Sequence, residues 1–262
     1  MGSITATETV APQSMGVASS TKQGLLYVGA RFTNPDLPYP DFARWYDEIH
    51  IPHLASMRNC RAAMRYTRVT EPSVDGREVT QSSSMPYATF YPLHDVSWLH
   101  SEEFDSAKDS TEADYLPGRS VFKSVDFEGR GYELVGGSSV MGGGEGKGAT
   151  RFIVFTTYKS RKGGIARADD ECMEKFYDAV AALPGCRGIT RYLYCDVQRP
   201  EMAAKFEASG QWPARDAVIH GLDVEKGVLD SVYRARDEVA KKLSDSSTLD
   251  VAIYELLIGL DG

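Results

Sequence analysis

The feature that most constrains this chain is a seven-residue pattern, Cys-Arg-x-x-x-Arg-Tyr, that occurs twice. Cys60-Arg61-Ala62-Ala63-Met64-Arg65-Tyr66 recurs as Cys186-Arg187-Gly188-Ile189-Thr190-Arg191-Tyr192, 126 positions later, with Cys, Arg, Arg and Tyr unchanged. Two shorter matches keep the same order along the chain: Tyr46-Asp47 with Tyr177-Asp178, and Tyr132-Glu133-Leu134 with Tyr254-Glu255-Leu256. Matches in the same order, inside corresponding elements, indicate a duplicated unit. We therefore expect one type of domain used twice.

Hydrophobic periodicity predicts the order β-α-β-β-α-β in each copy, and the expected fold class is α+β. The first copy is residues 23–135 and the second is residues 149–262. Between them, seven glycines in 136–148 predict a flexible linker. Residues 1–22 are rich in Ser, Thr, Ala and Gly and predict a disordered tail. Strands are predicted over 24–32, 61–69, 87–93, 132–135, 151–158, 187–195, 217–222 and 249–258, and helices over about 41–50, 94–109, 169–182 and 224–243.

The composition argues against several classes of function. The formal net charge is −8 and the 29 Lys and Arg residues are scattered, so the sequence lacks the basic stripe expected of nucleic-acid binding. No run approaches the 18 apolar residues of a membrane span, and the first residues do not resemble a signal peptide. We expect a soluble cytoplasmic protein that binds neither nucleic acid nor membranes. The four cysteines lack metal-ligand spacing and are expected to be reduced thiols.

The segment from Asp41 to Leu54 concentrates aromatic, acidic and imidazole side chains around one helix. At about 100° per residue, Phe42, Trp45, Tyr46 and Ile49 form one apolar sector, with a histidine at its edge. The sequence therefore predicts a helix whose buried face ends in an imidazole.

Pro52 is expected to end or kink this helix at about His50, because proline has no N–H and restricts the residue before it. His50 and His53 would then lie at a helix C-terminus, where the helix dipole favours a cationic imidazole and burial opposes it. His50 is either a tunable acid/base group or an interior histidine satisfied by a backbone carbonyl.

The two copies differ at this helix. Asp47 and Cys60 are 13 positions apart, whereas Asp178 and Cys186 are 8 apart. The second copy has therefore lost the segment that carries the two histidines, and its only histidine is predicted to lie on a strand. A catalytic site of this kind belongs to the first copy, and the second copy is expected to be mainly scaffold.

The residues Phe42-x-x-Trp45-Tyr46-Asp47-Glu48-x-His50-Ile51-Pro52 resemble the motif helix of the EthD-like branch of the dimeric α/β-barrel superfamily. The sequence match itself covers about 15 residues. The predicted β-α-β-β-α-β order extends the resemblance over nearly all of the chain after residue 22. It implies two tandem ferredoxin-like units that form an intramolecular dimeric α/β barrel, a type found in fungal secondary metabolism. The family's Pro-Gly turn after this helix is Arg58-Asn59 in the first copy and Pro184-Gly185 in the second.

The resemblance also implies a cofactor-independent enzyme with a pocket between the sheet and the helices of a unit. His50 is then the general acid/base, Asp47 could orient or charge-stabilise it, and Tyr46 could donate a proton or a hydrogen bond. Glu48 points away from His50 and is expected to be solvated. The expected substrate-binding residues are Trp45, His53, Tyr27, Arg31, Arg65 and Tyr66, although packing or a surface ion pair is an alternative for each of the last four.

Metal, nucleotide and flavin sites have little support in the sequence. His50, His53 and Asp47 could supply three ligands, but Pro52 breaks the helical spacing that would aim both histidines at one ion. No strand is followed by GxGxxG, and no GxxxxGK[ST] occurs. We expect neither a metal nor a cofactor.

The predicted function is a cofactor-independent cyclase or lyase that acts by acid/base catalysis on a small hydrophobic polyketide- or terpenoid-like intermediate. The reaction would be cyclisation, elimination, decarboxylation or an assisted pericyclic ring closure. The alternatives are a cofactor-independent monooxygenase of the same fold and a non-catalytic ligand-binding barrel. A homodimer is possible, because such units often pair.

Overall fold

A computed structural model of the chain describes residues 21–69, 85–107, 113–137, 149–160, 167–197, 216–243 and 247–261, together with residues 141, 204, 208 and 214. The expected tail lies outside the described residues up to position 20. Most of the expected linker, residues 138–140 and 142–148, also lies outside them.

The elements follow the predicted order in each copy. The first copy contains β1 (Gly24–Phe32), α1 (Tyr39–Trp45), a π-helix (Tyr46–His50), α2 (Ile51–Ala55), β2 (Ala62–Arg68), β3 (Tyr87–Leu93), a 3-10 helix (Val96–His100), α3 (Glu102–Ala107), two 3-10 turns (Pro117–Arg119 and Val121–Lys123) and β4 (Val125–Gly137). The second contains β5 (Phe152–Ser160), α4 (Arg167–Ala181), β6 (Cys186–Val197), β7 (Asp216–Leu222), a 3-10 turn (Lys226–Val228), α5 (Leu229–Ala240) and β8 (Ser247–Asp261).

The eight described strands close into one antiparallel barrel in the order β1-β3-β2-β8-β5-β7-β6-β4. Each copy contributes a ferredoxin-like sheet, β4-β1-β3-β2 or β8-β5-β7-β6, and the two sheets meet at the seams β2 with β8 and β4 with β6. Replacing each strand by its counterpart in the other copy reproduces the same cyclic order. The predicted fold, two tandem α+β units that complete an intramolecular barrel, is confirmed.

The repeated cysteines occupy equivalent places. The thiol of Cys60 donates to the carbonyl of Ala62 at 3.2 Å, and the thiol of Cys186 donates to the carbonyl of Gly188 at 3.6 Å. Burial raises the pKa of Cys60 to about 12, so this thiol stays protonated. Both are free cysteines, and their contacts are those of structural thiols.

Strand β4 is much longer than the predicted 132–135. The apolar pattern of this strand is interrupted in the sequence by Asp126, Glu128 and Arg130, and the strand was therefore not recognised there. In the structure Glu128 and Arg130 pair with each other inside the barrel. Gly136 and Gly137, expected to begin the linker, belong to β4 and pair with β6. Gly137 has φ +100°, and a Cβ there would lie 2.1 Å from the carbonyl oxygen of Ile189, so the seam requires glycine at this position.

The described apolar side chains form three layers. One fills the barrel, and it includes Tyr27, Tyr66, Phe90, Phe155 and Tyr254. A second lies between the sheet of the first copy and its helices, and a third occupies the corresponding place in the second copy. Side chains of successive strand residues point alternately into the barrel and toward the helices. The face on which a residue lies therefore decides which layer it can reach.

Among the residues that the structure describes, no helix is both long enough and apolar enough to cross a membrane.

Candidate functional site

The helix that carries His50 was predicted to end or kink at about His50, and the structure shows a change of helix type there rather than an end. It passes from α1 into five residues of π-helix and continues as α2 to Ala55. At the junction the N–H of Ile51 bonds to the carbonyl of Tyr46, five residues back. A π turn widens the helix locally, and such turns are frequent at functional sites. Because the hydrogen-bond pattern shifts just before Pro52, the chain continues past the proline without a break.

The π turn changes which side chains face the protein core. Regular α periodicity would bury Ile49, as predicted, but Ile49 is 38% exposed. The extra residue in the turn brings His50 to the inner face, where it follows Trp45 and Tyr46. Ile51 and Leu54 are buried beyond it. The prediction that an imidazole lies at the end of the aromatic face is therefore met by a different local geometry.

His50 is half-buried against two aromatic rings. Its ring stacks on the indole of Trp45, with centroids 4.8 Å apart and an angle of 20°, and it meets the ring of Tyr46 edge-on at 5.2 Å. Trp45 and Tyr46 are almost completely buried. These contacts hold the imidazole in one orientation at the edge of the apolar layer.

Three polar groups around His50 are buried without a hydrogen-bond partner in the described part of the chain: the indole N–H of Trp45 and the hydroxyls of Tyr46 and Tyr91. The Tyr46 hydroxyl lies near those of Thr89 and Tyr91, so these three hydroxyls interact mainly with one another. Burial raises the pKa of both tyrosines, so both remain protonated donors. Buried donors without a partner are costly and are uncommon in folded proteins, so this group of donors marks the surroundings of His50 as unusual.

Asp47 and Arg65 form an ion pair beside this cluster. The Nε of Arg65 donates to Oδ1 of Asp47 at 2.7 Å, Nη2 donates to Oδ2, and Nη1 donates to the hydroxyl of Tyr39 at 3.3 Å. Burial alone would lower the pKa of Arg65, but the bonds to Asp47 and Tyr39 raise it overall. The structure thus gives Asp47, predicted to assist His50, a partner that the sequence did not indicate.

Aromatic rings lie on two sides of this cluster, and we call the region between them, next to His50, the cleft. Tyr39 stacks on Tyr87 with ring centroids 5.5 Å apart, and the guanidinium of Arg65 lies 5.8 Å from the ring centroid of Tyr46. On the other side, the ring centroids of Phe127 and Trp45 are 6.5 Å apart, and those of Phe122 and Phe127 are 5.6 Å apart. Phe122 is 42% exposed. The accessible rim and the unpaired donors below it make this cleft the candidate site.

Four of the nine predicted site residues lie elsewhere. Tyr27 and Tyr66 point into the barrel, on the opposite face of the sheet from His50. Arg31 and His53 are exposed. Tyr27 and Arg31 were predicted to lie on the same face of one strand. The alternation of side chains along a strand does not reveal which of its two faces packs against the helices. The structure therefore brings together Trp45, Tyr46, Asp47, His50 and Arg65. Glu48 is exposed, as expected, and it also pairs with Arg44.

Tyr91 was missed by the sequence analysis. It lies on β3 in the alternating series Tyr87, Thr89, Tyr91, whose polar members all point toward the helix that carries His50. The alternation was visible in the sequence, but its direction depends on the sheet order. Tyr115, another rim residue, contacts the guanidinium of Arg44 at 4.8 Å and was likewise not indicated.

The second copy keeps part of this arrangement. Arg191, the counterpart of Arg65, pairs with Glu174 of α4. His220 lies opposite Val154 in β7, which is the place of Tyr91 opposite Leu26 in β3. Its Nε2 lies 3.2 Å from the carbonyl of Tyr177, and its Nδ1 is buried without a partner in the described residues. This histidine lies on a strand, as expected, and is completely buried.

We predict that His220 makes the fold sensitive to acid. Burial lowers its pKa to about 4, below the ordinary value of about 6.5 in an unfolded chain. As the pH falls, the unfolded chain binds a proton at this histidine before the folded protein does. The contribution of neutral His220 to the free energy of unfolding is therefore complete above pH 6.5 and is lost as the pH falls toward 4. Between pH 7 and pH 4.5 the free energy of unfolding should therefore fall by about 2 to 3 kcal/mol less in His220→Gln than in the wild type. Urea unfolding at both pH values measures this difference.

The matched control is His94→Gln, since His94 is exposed. It should lose as much stability on acidification as the wild type. An unchanged pH dependence in His220→Gln would show that another group governs the acid sensitivity.

No three His, Cys, Asp or Glu side chains come together as a potential metal site within the described residues.

Comparisons with known proteins point to the fold rather than to a family. No family model matches the sequence, and no curated protein is significantly similar to it. Among solved structures, an anthrone oxidase-like protein is 13% identical with a TM-score of 0.50, covering 93% of this chain and 94% of its own. A candidate monooxygenase from Fusobacterium nucleatum subsp. nucleatum is 5% identical with a TM-score of 0.50, covering 92% and 95%. The chain is thus similar in fold to these proteins, as a dimeric α/β barrel completed within one polypeptide.

Proposed function

We propose that this protein is a cofactor-independent enzyme in which His50 transfers a proton to or from a small hydrophobic substrate in the cleft of the first copy. The observation that carries the proposal is the position of His50, stacked on Trp45 beside three buried donors without partners in the described residues. A half-buried imidazole suits a general acid/base. Protonated hydroxyls nearby suit an oxygen on which negative charge develops.

The proposed reaction begins with a substrate that carries an acidic C–H next to a carbonyl group. Neutral His50 removes the C–H proton, and the electron pair moves onto the carbonyl oxygen to form an enolate. The hydroxyls of Tyr46 and Tyr91 donate hydrogen bonds to that oxygen. The enolate then expels a leaving group or attacks a second carbon to close a ring, and protonated His50 returns its proton to the leaving group or product. The enzyme is accordingly a cyclase or lyase.

A second candidate function is cofactor-independent oxygenation. The names of the two similar structures, an anthrone oxidase-like protein and a candidate monooxygenase, favour this alternative. The same deprotonated carbon would react with dioxygen to give a hydroperoxide. Loss of water would then break the O–O bond and convert the original CH₂ into a carbonyl group, so that dioxygen accepts four electrons in all, two in forming the hydroperoxide and two when its O–O bond breaks. Proton abstraction by His50 is common to both functions, and the fate of the carbanion separates them.

The test uses a strain of the source organism from which the gene for this protein has been deleted. Its metabolite extract is incubated with the purified protein, once in air and once without oxygen. Consumption of one metabolite in both atmospheres supports the cyclase or lyase, with a product of equal mass or one smaller by a leaving group. Consumption only in air, with a product 14 mass units heavier because two hydrogens are replaced by one oxygen, supports the oxygenase. A metabolite that binds but is not consumed in either atmosphere would contradict both functions and favour a ligand-binding barrel.

A further inference from the structure

The buried cation beside the candidate site has its partners within the protein. Each of the three nitrogens of the Arg65 guanidinium has one: Nε and Nη2 bond to Asp47, and Nη1 bonds to Tyr39. The side chain of Arg65 is 3% exposed and that of Asp47 is 24% exposed. The two charges therefore cancel where the cleft is shielded from water, and charge-assisted bonds of this kind are the strong ones.

The other charged groups that the structure describes near the cleft do not supply a positive field while His50 is neutral, as it is before proton transfer in the proposed reaction. Arg44 pairs with Glu48 on the same helix, and both are exposed. Asp41 adds negative charge near the rim, since it acts with Glu48 on the hydroxyl of Tyr115. A carboxylate entering the cleft would lose its hydration and meet a cation already neutralised by Asp47.

The buried polar groups on and beside the helix that carries His50 are instead neutral donors. The hydroxyls of Tyr46 and Tyr91 and the indole N–H of Trp45 are buried and have no partner in the described part of the chain. Around them are the aromatic rings of Phe42, Phe127 and Tyr87. Such a lining complements a flat apolar molecule with a neutral oxygen acceptor.

We infer that the cleft selects neutral aromatic carbonyl compounds and rejects aromatic carboxylates, and that Asp47 is the residue that sets this selectivity by neutralising Arg65. This inference rests on the site of the proposed function and narrows its substrate class. Among the reactions expected from the sequence, it favours those of neutral ketones and disfavours decarboxylation of a free acid.

Two probes of equal size test the inference: methyl 2-naphthyl ketone and 2-naphthoate, which differ in a methyl group and a charged oxygen. Isothermal titration of the full-length wild-type protein is expected to give at least about ten-fold tighter binding of the ketone. In Asp47→Asn the Arg65 cation is released, and naphthoate affinity should rise by about ten-fold or more while ketone affinity changes little. Adding Arg65→Gln to that variant should abolish the gain.

Glu174→Gln is the matched control, because it removes the carboxylate of the equivalent but exposed Arg191 pair in the second copy. It should leave the affinities for both probes unchanged. The wild-type comparison does not depend on any variant folding, and thermal unfolding of Asp47→Asn with and without naphthoate provides a second reading. Naphthoate should raise its Tm.

Three outcomes would overturn the inference: equal or tighter binding of naphthoate by the wild type, no binding of the ketone, or no gain of naphthoate affinity in Asp47→Asn. These are binding results and can be separated from turnover. If the probes behave as expected but no metabolite is consumed, the proposed function fails while the selectivity stands. If a metabolite is consumed and Asp47→Asn does not gain naphthoate affinity, only the inference about Asp47 fails.

Discussion

Replacing His50 by glutamine is expected to lower kcat about 10²- to 10⁴-fold with little change in KM, once the substrate is identified. Glutamine keeps a polar side chain that can pack on Trp45 but cannot exchange a proton at neutral pH. In the proposed function, substrate binding depends on the aromatic rim and on the hydroxyls of Tyr46 and Tyr91, which the substitution leaves in place. Steady-state kinetics and titration of the inactive variant with substrate measure the two effects separately.

The matched control is His53→Gln, three residues further along the same helix. His53 is exposed, so this variant should retain wild-type kinetics. A His50→Gln variant with wild-type turnover would remove His50 from the mechanism. Equal losses in both variants would show that the helix, rather than the imidazole, had been damaged.

The second large effect is expected at Phe90, in the middle of the barrel. Its ring contacts those of Tyr27 and Tyr66 from the first copy and those of Phe155 and Tyr254 from the second. Phe90→Ala should lower the free energy of unfolding by about 3 to 5 kcal/mol, because it removes a completely buried ring and leaves a cavity. Since the cavity is lined by both copies, denaturant unfolding should remain a single transition at a lower midpoint.

Phe122→Ala is the control for this prediction, because the same side chain is removed from a position that is 42% exposed. Its effect on the midpoint should be much smaller. Separate transitions for the two copies in Phe90→Ala, monitored by tryptophan fluorescence and circular dichroism, would contradict the view that the barrel interior joins them into one cooperative unit.

Much of the fold could be predicted because the elements predicted in one copy can be compared with those predicted in the other. The strand prediction at 87–93 matches β3 at both ends, and the apolar alternation there has no competing signal. β4 was largely missed because Glu128 and Arg130 satisfy each other inside the barrel, so polar letters fill buried positions. A sequence read one residue at a time cannot show that two buried charges will meet.

The site was predictable in its centre and not in its surroundings. The aromatic helix and His50 follow from local periodicity and from the resemblance of the motif. Partners from other strands depend on sheet order and on the facing of each strand. For this reason Tyr27 and Tyr66 could be named as candidates although they point into the barrel, and Tyr91 was not indicated. The π turn was not predicted either, since Pro52 suggests a helix end and the sequence gives no direct sign of a shifted hydrogen-bond pattern.

Closure of the barrel inside one polypeptide has a consequence for how such a protein can change. When a barrel is assembled from two identical subunits, every substitution appears twice, so both clefts must tolerate it together. Here β2 meets β8 and β4 meets β6 through residues that are encoded separately. One half can therefore carry an extra helical residue and an imidazole that the other half lacks, an asymmetry that no homodimer of identical chains can encode.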